Sequence, residues 1–415
     1  MTLAPLIITL SNFTYGGEAM GRHPDGRAVF VPFGIPGETV RLHVIEEKRG
    51  YIRANIEEII TVSSLRIQPR CIHFQTCGGC HYQHLAYHAQ LEAKENILRD
   101  QLIRIGKLPD PPVHLTVPTS IPFNYRNHIQ FHLDPMGKPG FLEARSERVV
   151  AIQECHLPED LLNEIWPMLD FDASPEMDRI GLRLGVNEDI QLIMESHDLE
   201  LPEFKIEELP ISAVHLNENN AIVLAGNEAV VMEVNDRFFR VSAGSFFQVN
   251  TAMAEKLVRG LLDGISRYTR LTKASTILDV YCGVGLFSAF LAPLVGRIIG
   301  IESSPSAVED FTVNLDEFDQ VEIYEAPAEE VLPELELTNP QVIVVDPPRS
   351  GIDRTALDAI LAMKPALLVY ISCDPSTLGR DARRLTQAGY QLREITPYDL
   401  FPQTFHIESL SFWSP

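Results

Sequence analysis

The 415-residue sequence, 45% hydrophobic and 22% charged, has a globular composition and is long enough for about two to four domains. It opens with no cationic, apolar leader and contains no uncharged apolar run of membrane-spanning length. We therefore expect a cytoplasmic protein without a membrane span. Six cysteines in such a chain indicate metal binding or thiol chemistry rather than disulfide bonds.

The net charge of −23 is unevenly distributed. Residues 61–150 hold ten Lys or Arg against seven Asp or Glu, and seven of the thirteen histidines. Most of the acidic excess falls after residue 150, so a nucleic acid could bind the first third of the chain. A solvated surface of mixed charge would give the same modest balance.

Residues 1–62 predict a small β-barrel. Glycine-rich turns separate four β-rich runs, which are Leu6–Phe13, Ala28–Phe33, Thr39–Glu46 and Tyr51–Ile60. Small barrels often carry oligonucleotides on one strand face and its loops, although a generic accessory barrel would fit these residues equally well. The candidate contacts are Tyr15, Arg22, Arg27, Lys48, Arg49 and Arg53.

Residues 63–245 predict a mixed α+β domain with a metal centre. An amphipathic helix is expected over residues 85–107, with paired strands within 122–150 and further strands within 181–240. Four thiolates, two of them flanking a pair of glycines, suit either a tetrahedral zinc ion or a 4Fe–4S cluster, and the spacing does not decide between them. These are Cys71, Cys77, Cys80 and Cys155.

Residues 246–415 predict a doubly wound α/β domain with a parallel sheet, because β and α patterns alternate from Phe246 to the end. The strand Thr276–Val280 leads through Gly283 and Gly285 into a helix. Such a turn lies at the carboxyl edge of the sheet, where its glycines let a cofactor approach the backbone.

Acidic residues at this edge favour S-adenosylmethionine as the cofactor. No third glycine follows to form a dinucleotide fingerprint, whereas Asp279 suits a ligand carrying positive charge. Glu302 ends the second strand, where an acid can bind ribose hydroxyls.

Two further strand ends carry chemistry to the same edge. One delivers Asp346-Pro-Pro, a rigid lip suited to a planar base, and the other delivers Cys373 ahead of a helix whose dipole would favour the thiolate. Alternatively, Cys373 is a buried residue that packs as a small hydrophobic side chain. Glu408 falls in a late apolar segment, where a carboxylate is costly unless it is used or paired.

Together these motifs resemble the RNA uridine-5 methyltransferases, S-adenosylmethionine enzymes that form 5-methyluridine in ribosomal or transfer RNA. The resemblance spans almost the whole chain and includes the iron–sulfur ligands of cluster-bearing members and a TRAM barrel over residues 1–62. It rests on five motifs: Asp279-x3-Gly-x-Gly, Phe246-x-Gln-Val-Asn, Asp346-Pro-Pro-Arg-Ser-Gly, Ser-Cys373-Asp-Pro and the closing Phe-Pro-x-Thr-x-His-x-Glu408.

The resemblance implies a role for each matching residue. Cys373 becomes the nucleophile that adds to carbon 6 of uracil, and Glu408 the base that removes the carbon-5 proton. The four candidate metal-binding cysteines become ligands of a 4Fe–4S cluster. The resemblance favours 23S ribosomal RNA over transfer RNA as the substrate. It also implies a monomeric enzyme. The implied cofactor and uracil pocket contains Gln248, Asp279, Tyr281, Gly283, Gly285, Glu302 and Asp346.

Departures from the family pattern leave the adenine contacts unassigned. Ala326-Pro-Ala328 stands where many such folds carry an acid for the adenine amine, and Leu286 stands where some members have a polar residue. In folded RNA the target uridine must also leave its stack, and Phe246 or Phe247 could receive it.

Three alternatives remain on the sequence alone. The first is an iron–sulfur oxidoreductase, in which Cys373 would have no function. The second is a non-catalytic RNA-binding module, which would need only the barrel and the basic region. A cytosine-5 methyltransferase would carry a Pro-Cys nucleophile after the fourth strand, where this chain has Pro347-Pro348.

Overall fold

In the part of the chain that it describes, a computed structural model contains a closed β-barrel, two seven-stranded sheets and a two-stranded hairpin. No helix in the part of the chain that it describes is long and apolar enough to cross a membrane. The described residues are 6–169, 171, 177–197, 211–217, 220–335 and 339–415.

The N-terminal segment forms the predicted closed barrel, with strand order β1-β2-β3-β5-β4. Alternate side chains such as Ile8, Leu10 and Val29 point inward and form a separate small core. All four predicted runs are strands, and the strand that was not predicted, Glu-Ala-Met-Gly-Arg, has little β propensity. The strands are β1 (Leu6–Phe13), β2 (Glu18–Arg22), β3 (Ala28–Pro32), β4 (Thr39–Glu47) and β5 (Tyr51–Thr61).

The middle of the chain forms a seven-stranded sheet and a separate hairpin. The sheet has the order β12-β11-β10-β9-β6-β7-β8, and β13 pairs with β14. Part of the region predicted as strands, within 198–210 and at 218–219, lies outside the described residues. The strands are β6 (His128–Leu133), β7 (Pro139–Leu142), β8 (Val149–Ala151), β9 (Met177–Leu184), β10 (Ile190–Ser196), β11 (Ile211–Asn217), β12 (Asn220–Ala225), β13 (Ala229–Val234) and β14 (Arg237–Ser242). The helices are α1 (Tyr87–Arg104) and α2 (Asp160–Ile165).

The C-terminal sheet confirms the doubly wound class. It is seven-stranded, in the order β17-β16-β15-β18-β19-β21-β20, with an apolar core on each face. The strands are β15 (Thr276–Val280), β16 (Arg297–Glu302), β17 (Val321–Glu325), β18 (Val342–Val345), β19 (Leu367–Ser372), β20 (Gln391–Tyr398) and β21 (Glu408–Ser414). The helices are α3 (Thr251–Tyr268), α4 (Leu286–Leu291), α5 (Pro305–Asn314), α6 (Ala328–Glu334), α7 (Arg354–Met363) and α8 (Pro375–Gln387).

The expectation that this domain stays parallel to its end is wrong for the last strand. β21 inserts between β19 and β20 and is antiparallel to both. A short loop turns the chain back after β20, so no crossover helix separates the two strands, as a parallel connection would require.

Helix α1 packs on the C-terminal sheet rather than on the middle one. Leu98 and Leu102 belong to the same core as the strands β15 and β18. Val113 and Val117 then bridge in parallel to Ile395 and Tyr398 of β20. The predicted limits of the three domains remain a prediction, and the limit between residues 245 and 246 separates α1 from the sheet it contacts.

A buried ion pair joins α1 to the loop between β20 and β21. Lys94 Nζ donates to Asp399 Oδ1 at 2.6 Å and to the Phe401 carbonyl at 2.9 Å, and both charged side chains have zero exposure. Tyr87 donates to the other Asp399 oxygen at 2.7 Å, and Gln90 donates to Gln403 Oε1 at 3.0 Å. The loop that precedes Glu408 is therefore fixed from one helix.

Lys94→Met should strongly destabilise the protein, because it leaves the Asp399 charge buried without its cation. Loss of one partner of a buried pair typically costs about 3–5 kcal/mol, which urea unfolding would measure. The matched control is Arg297→Met, which breaks the exposed pair with Glu322 and should cost less than about 1 kcal/mol. Equal losses in the two variants would contradict this account of the loop.

Candidate active site

The carboxyl edge of the C-terminal sheet opens into a cavity of about 1630 Å³. Strand order reverses between β15 and β18, and this switch point is where open α/β sheets bind their ligands. Seven of the nine predicted catalytic and cofactor residues line it: Gln248, Tyr281, Gly283, Glu302, Asp346, Cys373 and Glu408.

The turn after β15 presents bare backbone to the cavity. Tyr281 and Gly283 both have left-handed backbone conformations, with φ of 63° and 53°. A Cβ built on Gly283 would meet no other atom within 4 Å, so the space beside it is open. Such a turn lets a ligand lie directly against the main chain.

Glu302 is held in place by the backbone around the cavity. One carboxylate oxygen accepts from the Gly283 N–H at 2.9 Å, and the other accepts from Ser303 and Ser304 N–H groups at 2.7 and 2.9 Å. Because each carboxylate oxygen has two lone pairs, the oxygen bound to Gly283 can still accept from a ligand hydroxyl.

Asp279 and Gly285 do not line the cavity, so direct contact with a cofactor, which we expected, is not supported for either. Asp279 is fully buried beneath the turn, where one oxygen accepts from the Ser288 N–H and hydroxyl at 3.1 and 2.7 Å. A Cβ on Gly285 would come within 2.4 Å of Leu315, so this glycine permits helix packing. Motif spacing cannot distinguish packing from ligand contact.

The acids make the cavity a site for positive charge. Burial, and then the neighbouring Asp279 and Glu302, raise the pKa of Asp346 to about 7. Burial also raises the pKa of Asp279 to about 7, against the opposing hydrogen bonds from Ser288 and with a further contribution from Glu302. A cationic ligand would relieve the repulsion among these carboxyl groups.

Cys373 and Glu408 reach the same cavity from adjacent antiparallel strands. Ser372, the last residue of β19, pairs with Ser409 of β21. Cys373, which follows β19, and Glu408, which begins β21, therefore lie side by side at the edge of the sheet. Glu408 is only 4% exposed, and its Oε1 has no hydrogen-bond partner among the residues that the structure describes. Burial, and then Asp346, raise its pKa well above the usual range.

Burial and neighbouring acids oppose ionisation of Cys373, against the effect that we expected from the helix dipole. Burial, followed by Glu408 and Asp346, raises the pKa of Cys373 to about 12, and Arg349 opposes these effects. The thiolate would therefore need added positive charge, or protonation of the neighbouring acids, to form near neutral pH.

Several cavity residues escaped the sequence analysis. Arg349 donates to His406 Nε2 at 3.5 Å, and burial lowers the pKa of His406 to about 3, so this imidazole is neutral. Both lie inside motifs that were recognised, yet spacing gives no role for them. Phe401 and Arg126 also line the cavity. Phe246 is 68% exposed at its wall, whereas Phe247 is buried against Phe239.

The barrel offers fewer free cations than its composition suggested. Arg27 is paired with Asp25 and Glu47, and Arg53 is paired with Glu18. Lys48 is paired with Glu46, so three of the predicted nucleic-acid contacts already have an acidic partner in the barrel itself.

The four predicted metal ligands line a second cavity, of about 330 Å³, next to the first. All four cysteines are free thiols, and the Gly79 N–H donates to Cys77 Sγ at 3.4 Å. A Cβ on Gly78 would lie 2.8 Å from the Leu142 carbonyl, so glycine is required where this loop packs on β7. Across the described residues, no three His, Cys, Asp or Glu form a group that could hold a metal ion.

Three features define the class of S-adenosylmethionine-dependent methyltransferases. They are the doubly wound sheet, the glycine turn with Glu302 at the end of the next strand, and the acidic cleft. The chain belongs to the tRNA (uracil-5-)-methyltransferase family, whose model matches residues 189–414. It is thus an RNA uracil-5 methyltransferase. A TRAM domain model matches residues 6–56, which confirms the barrel prediction.

Relatives cover the chain almost completely. An uncharacterized RNA methyltransferase of Aquifex aeolicus is 34% identical over 98% of both chains. Another, from Halalkalibacterium halodurans, is 33% identical over 97% of this chain and 95% of the relative. The solved structure of the Pyrococcus abyssi tRNA (uracil-54, C5)-methyltransferase, in complex with S-adenosyl-L-homocysteine, covers 100% of both chains with a TM-score of 0.73 and 24% identity, and so shares the fold.

The affinity for S-adenosylmethionine should rise with pH through about 7. Asp346 is neutral below its pKa and negative above it, and only the negative form attracts the sulfonium. We expect about tenfold tighter binding at about pH 8 than at about pH 6, equivalent to ~1.4 kcal/mol, by calorimetry. S-adenosylhomocysteine, which has the amino group but no sulfonium, is the control. The same pH dependence for both ligands would contradict the prediction.

Proposed function

We propose that this enzyme methylates carbon 5 of a specific uridine in folded RNA through a covalent adduct with Cys373. The observation that carries the proposal is the pairing, at one cavity wall, of a thiol with a buried carboxyl group that has an unpartnered oxygen. A thiol that adds to carbon 6 and a base that removes the carbon-5 proton need this proximity.

The two side chains divide the reaction between them. Cys373 Sγ, after losing its proton, forms a bond to carbon 6, and the electron pair of the 5,6 double bond moves to an enolate. S-adenosylmethionine, when bound, would supply the methyl group to carbon 5, with its methyl–sulfur bond broken and S-adenosylhomocysteine as the leaving group. Glu408 then removes the carbon-5 proton, the double bond forms again, and the sulfur leaves as a thiolate. The raised pKa of Glu408 suits a group that must accept a proton and release it again.

The cofactor would lie across the carboxyl ends of β15, β16 and β18. Glu302 is placed to accept from ribose hydroxyls, and the open space beside Gly283 admits the ligand to the backbone. Asp346, which follows β18, and Gln248, in the segment between β14 and α3, complete the pocket. Asp279 supports the turn from below and contributes its charge rather than a contact.

The RNA would present a single unstacked base to the cavity. Phe246, exposed at the wall, offers an aromatic face on which a base can stack. The sequence favours 23S ribosomal RNA over transfer RNA, and this preference, the monomeric state and the cytoplasmic location all remain predictions.

We also propose a 4Fe–4S cluster held by Cys71, Cys77, Cys80 and Cys155. A single zinc ion draws four thiolates to within about 4 Å of one another, whereas a cluster fills space between them. Four free thiols around one cavity, with a backbone N–H donated to sulfur, fit the larger group. The cluster would fix the loop of residues 71–80 to Cys155 without taking part in methyl transfer.

Glu408→Gln should trap the enzyme on its product. Attack and methyl transfer remain possible, but elimination stalls because no base removes the carbon-5 proton. We expect a protein–RNA band that survives denaturation and contains methylated RNA, tested in parallel with unmodified 23S ribosomal RNA and unmodified transfer RNA. The RNA that yields the adduct identifies the substrate class.

Cys373→Ala provides the control, because it should abolish methylation while leaving cofactor and RNA binding intact. The Cys373→Ala/Glu408→Gln double variant should form no adduct. Wild-type turnover by Cys373→Ala would disprove the covalent route. Bound RNA without any adduct in Glu408→Gln would disprove its role as the base.

Anaerobically purified protein should contain about four irons per chain. Cys155→Ser should lose iron, whereas Cys282→Ser, which alters a buried cysteine of the methyltransferase sheet, should retain it. Elemental analysis gives the answer without any activity measurement. One zinc per chain and no iron would contradict the cluster.

A further inference from the structure

A turn of the barrel reaches the loop that carries the nucleophile. Tyr15, between β1 and β2, donates its hydroxyl hydrogen to Asp374 Oδ2 at 3.0 Å, across 359 residues of sequence. Asp374 immediately follows Cys373. The contact therefore joins the N-terminal barrel to the residue next to the proposed nucleophile.

Asp374 holds the loop with its other oxygen. Its Oδ1 accepts from the Ser376 and Thr377 N–H groups at 2.8 and 3.0 Å and so caps α8. Its backbone N–H and carbonyl also exchange hydrogen bonds with the Ser372 hydroxyl. One oxygen thus fixes the loop to its own helix, and the other fixes it to the barrel.

The same turn also contacts the loop that leads to Glu408. The Tyr15 ring meets Phe405 edge-on at 5.5 Å between centroids, and Phe405 lies 4.3 Å from the ring of His406, which lines the cavity. Gly17, in the same turn, has φ of 86°, and a Cβ there would lie 3.0 Å from His81. Both catalytic loops therefore share one neighbour in the barrel.

We propose that Tyr15 is a positioning residue that sets the Cys373 loop for attack when RNA is bound across the barrel and the cavity. This inference rests on the proposed covalent function. The barrel then acts as part of the active site as well as an RNA-binding module. RNA that shifts the barrel would shift the Tyr15 hydroxyl and, through Asp374, the residue beside the nucleophile.

The barrel does not need this hydroxyl for its own fold. Its core is made of residues from its strands, and Tyr15 lies outside that core, in the turn. Tyr15→Phe keeps the ring that packs on Phe405 and removes only the hydrogen bond. The variant therefore separates positioning from folding.

The test is single-turnover methylation with saturating RNA and S-adenosylmethionine. We expect the rate constant of Tyr15→Phe to fall about tenfold, because misplacing a reacting group by ~1 Å costs up to ~10²-fold. The dissociation constants for RNA and cofactor should change less than about twofold. Tyr51→Phe is the matched control, since the ring contacts of Tyr51, with Phe30 and Arg53, lie within the barrel, and its rate should match the wild type.

A double-mutant cycle identifies the route of the effect. Asp374→Asn retains a side-chain oxygen for the helix cap, and Tyr15→Phe should have little further effect in that background if Tyr15 acts through Asp374. Fully additive losses, or a Tyr15→Phe defect confined to RNA affinity with an unchanged rate constant, would overturn the inference.

RNA containing 5-fluorouridine distinguishes this failure from failure of the proposed function. The fluorine at carbon 5 cannot leave as a proton, so the wild type should accumulate a covalent adduct, and Tyr15→Phe should form it about tenfold more slowly. No adduct with wild-type enzyme would overturn the covalent mechanism and the inference with it. Adduct formation at equal rates would overturn the role of Tyr15 alone.

Discussion

The burial of several carboxyl groups in one cleft is the constraint on which the rest of this site depends. Asp279, Glu302, Asp346 and Glu408 converge at the carboxyl edge of the sheet, and burial raises the pKa of three of them. Such crowding opposes stable folding unless it serves a ligand. A sulfonium cofactor supplies the missing charge, and the same charge would help Cys373 to ionise.

Much of the fold and of the site could be predicted, because the relevant signals are local. Thr276–Val280 was predicted as a strand from its β-branched residues and the glycine turn after it. Glu302 was predicted at the cofactor site because it ends the next strand. What failed depended on three-dimensional neighbours. The close packing of Leu315 requires a glycine at position 285, and burial, followed by acids from other segments, raises the pKa of the Cys373 thiol.

Contacts between distant segments could not be predicted from the local sequence of either segment. Tyr15 looks like a turn residue, and only the folded chain brings it to Asp374. Lys94 looks like a solvated helix residue, yet it is fully buried against Asp399. In both cases a segment from the first quarter of the chain fixes a loop of the last tenth, so the catalytic loops depend on elements outside the methyltransferase sheet.

The reversed strand explains how Glu408 reaches the cavity beside the proposed nucleophile. In a parallel sheet, only residues that follow a strand reach the ligand edge. Glu408 begins β21, and a parallel β21 of seven residues would place it about 20 Å away, at the opposite edge. Because β21 runs antiparallel to β19, its first residue meets the residue that follows β19, which is Cys373. The antiparallel insertion is thus what brings the proposed base to the proposed nucleophile.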